Sequence, residues 1–316
     1  MKVFVAGATG VIGRQLLPVL SAAGHEVTGM TRSARRAADT ERNGHARMVV
    51  ADALDPAAVA AAVSRAAPDA VVNMLTAIPP KVSPRRVDRD FAATNRLRTE
   101  GTANLLAAAQ EAGARRIIAQ SIAFAYEPGR SPADEDTPLW PDPPRRMAPV
   151  LGALRDLERQ TTEAGGLVLR FGHLYGPGSV LAPDGSLTEQ VRKGGLPLAG
   201  GGTAVFSFLH ARDAATAVVA ALDKDVTGVL NVADDDPAPM HVWLPHLARL
   251  LDVRPPRRVP AALVRPLAGA WGVAFMTRLR GADNSRARLS LDWRPHYTSW
   301  RQGFAEEPAA GAGKAA

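Results

Sequence analysis

The sequence predicts an α/β protein: a doubly wound parallel sheet with helices on both faces, followed by a smaller C-terminal α/β domain. Three observations predict it. Short apolar runs alternate with helical stretches through the first half of the chain, the pattern of strand–helix–strand units. A glycine triplet closes the first run and opens the first helix. Past about residue 178 the runs become irregular and richer in Pro and Gly, which marks a second unit. A length of 316 residues suits about two domains.

The elements follow in order. "KVFVAGA" is a short β-rich run, and "GRQLLPVLSAAG" has helical periodicity with a glycine stop. "HEVTGMTR", "ARMVVAD", "AVVNMLT" and "RRIIAQS" are further runs of strand length. "PAAVAAAVSRA" and "RLRTEGTANLLAAAQEAG" supply helices between them, and "PVLGALRDLERQ" reads as an amphipathic helix before the strand in "GLVLRFGHLYGPG". These spacings predict a first domain over 1–177, to which later segments are free to return, and a second over 178–304. The small-residue stretch 305–316 reads as a disordered tail.

The motif "GATGVIG" carries the most chemistry. Gly7 permits a tight turn, Gly10 lets the backbone approach a pyrophosphate, and Gly13 lets helix and strand pack closely. The helix N-terminus then offers N–H groups to phosphate. Together these describe the Rossmann type of fold, with Gly7, Thr9, Gly10, Val11, Ile12 and Gly13 around a dinucleotide. A cofactor with a free ribose 2′-hydroxyl usually meets Asp or Glu after the second strand. Here that place holds Thr31, Arg32 and Ser33, with Arg35 and Arg36 behind. A guanidinium binds a 2′-phosphate where a carboxylate would repel it, so NADP(H) is expected over NAD(H).

With these residues in view the chain resembles an extended short-chain dehydrogenase/reductase of the NAD-dependent epimerase/dehydratase family. "GATGVIG", "ADALD", "TNRLRTEGTANLL", "LRFGHLYGPG", "FLHARDAA" and "NSRARLSLDWRP" carry the likeness over nearly the whole length. The resemblance implies that Asp52 caps the adenine, with Ala53 beside it. It implies Leu75, Thr76, Phe171 and Gly172 at later strand ends along the cofactor, and Asn95 in a structural position on the fourth helix. His210 and Asp213 resemble a pair that supports the fold.

The same resemblance exposes a departure. The family places Tyr-x-x-x-Lys on the helix after the fifth strand, one turn apart on one face. Aligned on Glu158, those positions are Val150 and Leu154, both apolar. The family's Ser or Thr falls on Ile122, with Ser121 one place early. Candidate replacements are Ser121, Tyr126 and His173, the last able to act as acid or base near neutral pH. Tyr126 and His173 are also expected to touch substrate. Arg155 and Lys81 read as surface groups. Where sugar-modifying members carry an Arg that grips a nucleotide diphosphate, this chain has Phe206, so an apolar or aromatic small molecule is the expected substrate.

Composition narrows the rest. At 46% hydrophobic and 22% charged the chain is ordinary for a globular protein, and no apolar run reaches a membrane span. It opens directly on a strand, so no signal peptide and a cytoplasmic location are expected. Cysteine is absent, which excludes disulfides and cysteine-rich metal sites; no metal is expected. The net charge of +7 comes from scattered Arg without interleaved aromatics, which argues against nucleic acid. A homodimer is compatible with the sequence. Three readings stand: an NADP(H)-dependent oxidoreductase or redox-assisted isomerase, of the sort found in secondary metabolism; a non-redox enzyme that keeps the nucleotide; and a non-catalytic redox sensor.

Overall fold

The computed structural model describes residues 1–306. Seven parallel strands form one sheet. Across it they run Gly228–Val232, Leu167–Phe171, Arg116–Ile122, Ala70–Asn73, Lys2–Ala6, Glu26–Thr31 and Arg47–Val50. Chain order reverses between Lys2–Ala6 and Ala70–Asn73. At that switch point connections leave in opposite directions, and a crevice opens beyond the C-terminal strand ends. Residues 3–6, 70–73 and 167–171 are buried throughout, because helices cover both faces.

One face is covered by helices Val11–Ala22, Ala211–Leu222 and Ser285–Leu291, whose Ile12, Leu16, Val218 and Leu291 meet Val3, Val5 and Leu169. The opposite face packs Pro56–Ala66 and Thr102–Glu111 on Phe4, Val71 and Ile117. Local chemistry sets the helix ends. The Asp55 carboxylate accepts from the Ala57 and Ala58 N–H groups at 3.0 and 3.1 Å, Pro56 follows it, and Ala67 closes the helix at φ 41°. The single helix expected over "RLRTEGTANLL" is interrupted: Ala92–Arg96 passes through a π-helical turn, Leu97–Gly101, into Thr102–Glu111.

The helix Ala148–Glu163 joins the sheet to the remaining structure. Its Val150, Leu151 and Leu154 are fully buried in one apolar cluster with Phe206, Phe208, Trp243 and Trp300. Short strand pairs shape the rest: His173–Tyr175 with Phe208–His210, Val205–Phe206 with Ala238–Pro239, and Leu198–Ala199 with Arg258–Val259. The helix Ala261–Thr277 is broken at Gly269, whose φ of 71° and ψ of 178° no helix contains. Its first part exposes Leu263 and Leu267, and its second buries Trp271 and Met276.

Residues 211–222 and 228–232 return to the first domain, as a helix on the sheet and its outermost strand. Of the stretch read as a tail, Ala305 and Glu306 instead finish the helix Trp300–Glu306, and 307–316 lie outside the described residues.

Candidate functional site

The glycine loop is shaped for close backbone approach. Gly7 has φ 83°, and a Cβ there would lie 2.4 Å from the Met74 carbonyl oxygen; at Gly13 it would lie 2.5 Å from those of Gly7 and Ala8. At Gly10 a Cβ would meet only the Gly7 carbonyl oxygen, at 3.2 Å, so this glycine leaves its outer side open. Gly10 caps the helix of Val11 and Ile12 without any side chain, leaving the first N–H groups for an anion. These features fit a dinucleotide pyrophosphate.

Thr31, at the end of the second strand, is buried and shares a hydrogen bond with Thr9 at 3.1 Å. The Ser33 N–H donates to Thr31 Oγ1, and Ser33 Oγ accepts from the Arg36 N–H, so this turn is tied down while the Arg32 and Arg36 side chains stay exposed. Arg36 lines a cleft of about 480 Å³ with Thr9, Arg14 and His45. Asp39 also lines it, held by Arg42 at 2.5 Å.

Farther along the strand ends, Asp52 is exposed and its Oδ1 accepts from the Leu54 N–H, while the Ala53 carbonyl accepts from Asn104. The Leu75 N–H donates to Asn73, and Thr76 is exposed. Asn95 is half-buried, with its Oδ1 unpartnered. Phe171 and Gly172 are buried, Gly172 close under the Ser207 backbone.

On the helix Ala148–Glu163 the expected acid–base face is apolar, with Val150 and Leu154 wholly buried. One turn on, Glu158 anchors a buried polar chain. Arg170 grips it in a fork, Nε to Oε1 at 2.9 Å and Nη2 to Oε2 at 2.6 Å, and Ser121 Oγ donates to Oε1 at 2.6 Å. Arg170 Nη1 also donates to the Tyr126 hydroxyl at 2.8 Å, which in turn donates to Asn231 Oδ1 at 2.5 Å. Burial pushes the Tyr126 pKa up despite Arg170 and Asn231. Ser121 and Tyr126 are thus held as members of this buried chain. Each proton lies on a buried internal acceptor, and Tyr126 is only 1% exposed.

His173 sits apart from that chain, in an aromatic box. Its ring stacks on Phe124 at 4.0 Å and tilts against Phe206 at 4.2 Å, with Phe275 edge-on at 6.0 Å. Trp243 backs Phe206 at 5.0 Å. Nδ1 lies 3.2 Å from the Ser207 carbonyl oxygen, which only accepts, so Nδ1 carries the proton. Nε2 is then a bare acceptor, buried and without a partner. Burial lowers the imidazole pKa to about 3. Near neutrality the ring is therefore neutral, with its one proton on Nδ1.

Other expected residues are structural. The His210 ring accepts from the Arg212 N–H, and the Asp213 carboxylate accepts from the His296 and Tyr297 N–H groups. Arg155 donates to the Trp140 carbonyl, and Lys81 is exposed. Among the described residues no group of three His, Cys, Asp or Glu side chains is placed to hold a metal. Nor is any helix long and apolar enough to cross a membrane.

The profile of the NAD-dependent epimerase/dehydratase family matches residues 3–233. The chain belongs to that family. It is 50% identical to a 3-diazoavenalumate denitrifying reductase of a Streptomyces species, over 97% of this chain and all of that one. Among solved structures, UDP-glucose 4-epimerase of Thermus thermophilus with NAD superposes with a TM-score of 0.76 at 21% identity, covering 99% of this chain and 100% of that one. UDP-glucuronic acid 4-epimerase of Bacillus cereus, with UDP-glucuronic acid and NAD, gives 0.75 at 21%, covering 97% and 98%. These two likenesses show the epimerase/dehydratase fold.

Two features of this family member escape sequence reasoning. The aromatic box draws on residues 124, 173, 206, 243 and 275, which share no local pattern. Arg98 is the second. It is 5% exposed on the π-helical turn, and the one signal in the sequence was a charge on the helix face shared with Thr94 and Thr102, both buried.

Proposed function

We propose that this chain is an NADPH-dependent reductase that replaces the diazo group of a conjugated aromatic acid by hydrogen, releasing dinitrogen. The 50% identity over almost the full length to a denitrifying reductase carries this reading. The apolar face at Val150 and Leu154 agrees with it on chemical grounds. A ketone reductase must protonate the oxygen as hydride arrives. A diazonium carbon needs no such proton: bound NADPH supplies the hydride. The C–N bond breaks with its electron pair leaving on dinitrogen, and the hydride pair forms the new C–H bond.

The remaining residues then have roles that follow from their surroundings. Thr31, Arg32, Ser33 and Arg36 bind the 2′-phosphate, since no carboxylate takes the acid position at the strand end. Asp52, Ala53, Leu75, Thr76, Asn95, Phe171 and Gly172 line the rest of the cofactor's path. Phe124 and Phe275, both half-buried, offer aromatic surface to a planar ring and favour a cationic diazo group beside it, while Phe206 is buried against His173. His173 is neutral, so it adds no repulsion, and its bare Nε2 accepts from a substrate donor. Val150 and Leu154 keep water from the reacting carbon, where it would install a hydroxyl instead. Ser121 and Tyr126 hold the strand ends in place through Glu158 and Arg170. Phe206 in place of a guanidinium argues against a nucleotide-sugar substrate.

The test is turnover of an aryl diazo acid with NADPH deuterated on the transferred position. The expected result is one NADPH consumed per dinitrogen released, with deuterium at the carbon that bore nitrogen. Conversion without NADPH consumption would instead support a non-redox enzyme, and tight NADPH binding with no conversion a sensor.

A further inference from the structure

Arg98 is a buried cation with no assigned use. Its guanidinium makes no hydrogen bond or ion pair among the described residues, and Nη1 is fully enclosed. The guanidinium carbon lies 5.9 Å from the centre of the Phe91 ring. Glu158 is near enough to favour the charge, but its two oxygens are already taken by Arg170 and Ser121. Burial depresses the Arg98 pKa to about 10, against the pull of Glu158, so the group remains charged near neutrality. A guanidinium in a dry site with no anion in hydrogen-bond contact is costly, and a ligand anion would remove much of that cost.

Its position indicates which ligand. One turn earlier on the same helix face, Thr94 Oγ1 accepts from the Ala77 N–H, in the loop beyond the fourth strand. Phe91 packs into the cluster that holds Val150, Leu154 and Phe206. Arg98 therefore stands on the π-helical turn that packs against the helix Ala148–Glu163, and its neighbour Phe91 lies on the cluster that holds Val150, Leu154 and Phe206. The pyrophosphate cradle is elsewhere, at Gly10, and ribose hydroxyls carry no charge to compensate a guanidinium.

We propose that Arg98 binds an oxyanion of the substrate, an aryl oxide or a carboxylate conjugated with the diazo-bearing ring. This rests on the diazo-acid reading above for the identity of the substrate. The site then has two poles. The aromatic box accepts the cationic nitrogen end, and Arg98 donates to the anionic oxygen. That donation draws electron density out of the conjugated system, leaving the diazo carbon the better hydride acceptor.

The experiment is calorimetric titration, with NADP+ present, of para-methoxycinnamate, which carries only a carboxylate, and of para-nitrophenolate at a pH where it is ionised. Neither probe has a diazo group, so the result does not depend on diazo reduction. Arg98→Met is expected to weaken at least one probe about ten- to hundred-fold, as for loss of a charged hydrogen bond. Arg98→Lys should recover most of it, and NADP+ affinity should stay within about two-fold of wild type. The probe that responds identifies the oxyanion. Equal binding of both probes by wild type and Arg98→Met, or a loss confined to NADP+, would overturn the proposal. The melting temperature of unliganded Arg98→Met guards against misfolding. It should match or exceed wild type, because the variant removes an uncompensated buried charge, and a clear drop would show that the protein itself already compensates it.

Discussion

At the scale of single residues, the proposed NADPH preference rests on the turn after the second strand. Thr31 is fixed by Thr9 and by the Ser33 N–H, which leaves the exposed Arg32 guanidinium as the adjustable contact. Arg32→Ala should raise the Kd for NADPH about ten-fold or more and leave that for NADH nearly unchanged, as removal of a charge-assisted phosphate contact predicts. Equal losses for both nucleotides in a fluorescence titration would refute the 2′-phosphate assignment. Tyr126→Phe is expected to act on stability instead. It leaves Asn231 Oδ1 without its donor and removes one acceptor from Arg170, at a cost of roughly 1–3 kcal/mol. Urea unfolding should register that loss while kcat stays within about two-fold; a fall of ~10²-fold or more would restore Tyr126 as an acid. The sequence could nominate Tyr126, His173 and Ser121 by type and spacing. It could not show that two of them are saturated, because their partners Glu158 and Asn231 lie 37 and 105 residues away in the chain.

Among the elements, the proposed chemistry rests most on the helix Ala148–Glu163. Its amphipathic pattern was legible from spacing within the helix, and its missing Tyr and Lys from the family resemblance. Where its apolar face packs was not, because Val150 and Leu154 meet residues beyond 200. Restoring Tyr and Lys together, as Val150→Tyr with Leu154→Lys, should not raise turnover of the native substrate. It forces bulk and a charge into a fully buried site, with overpacking worth about 1–3 kcal/mol. A lower melting temperature and no gain in rate are expected. A large gain would mean that the native reaction does need a proton relay. The π-helical turn Leu97–Gly101 was illegible for a related reason: a one-residue widening leaves the sequence periodicity almost intact.

At the scale of the whole molecule, the alternation of strands and helices and the glycine triplet were enough to predict the sheet. The later return of Gly228–Val232 to its edge was only allowed for, since that strand has nothing local to separate it from the second unit. Two buried titrating groups from these regions impose opposite pH dependences on folding. His173 has a folded pKa of about 3 against an ordinary 6.5, so the unfolded chain takes up a proton the fold refuses, and stability falls as pH drops below 6.5. Asp234 is 2% exposed, with Oδ2 unpartnered, and burial raises its pKa from 3.8 to about 8. The fold therefore holds a proton the unfolded chain has lost. That contribution is complete below 3.8 and disappears as pH rises through 8. Asp234→Asn should flatten the decline of stability that this group imposes between about pH 4 and 8, and His173→Phe the decline on acidification. Denaturation curves across pH that keep the wild-type shape in both variants would refute these assignments.

The break at Gly269 divides one run of helical residues into two segments with different fates. Hydrogen bonds along a helix normally open together, so protection spreads from a well-packed end to a poorly packed one. At Gly269 that coupling is cut. The segment from 261 to 268 buries Val264 but leaves Leu263 65% and Leu267 78% exposed, whereas the segment from 270 to 277 is pinned by Trp271, Ala274 and Met276. Isotope labelling in heavy water should resolve them. Amides of the first segment should take up deuterium well before those of the second, although the two adjoin in sequence. A matching pair of uptake curves would mean that the glycine bends the helix without uncoupling it.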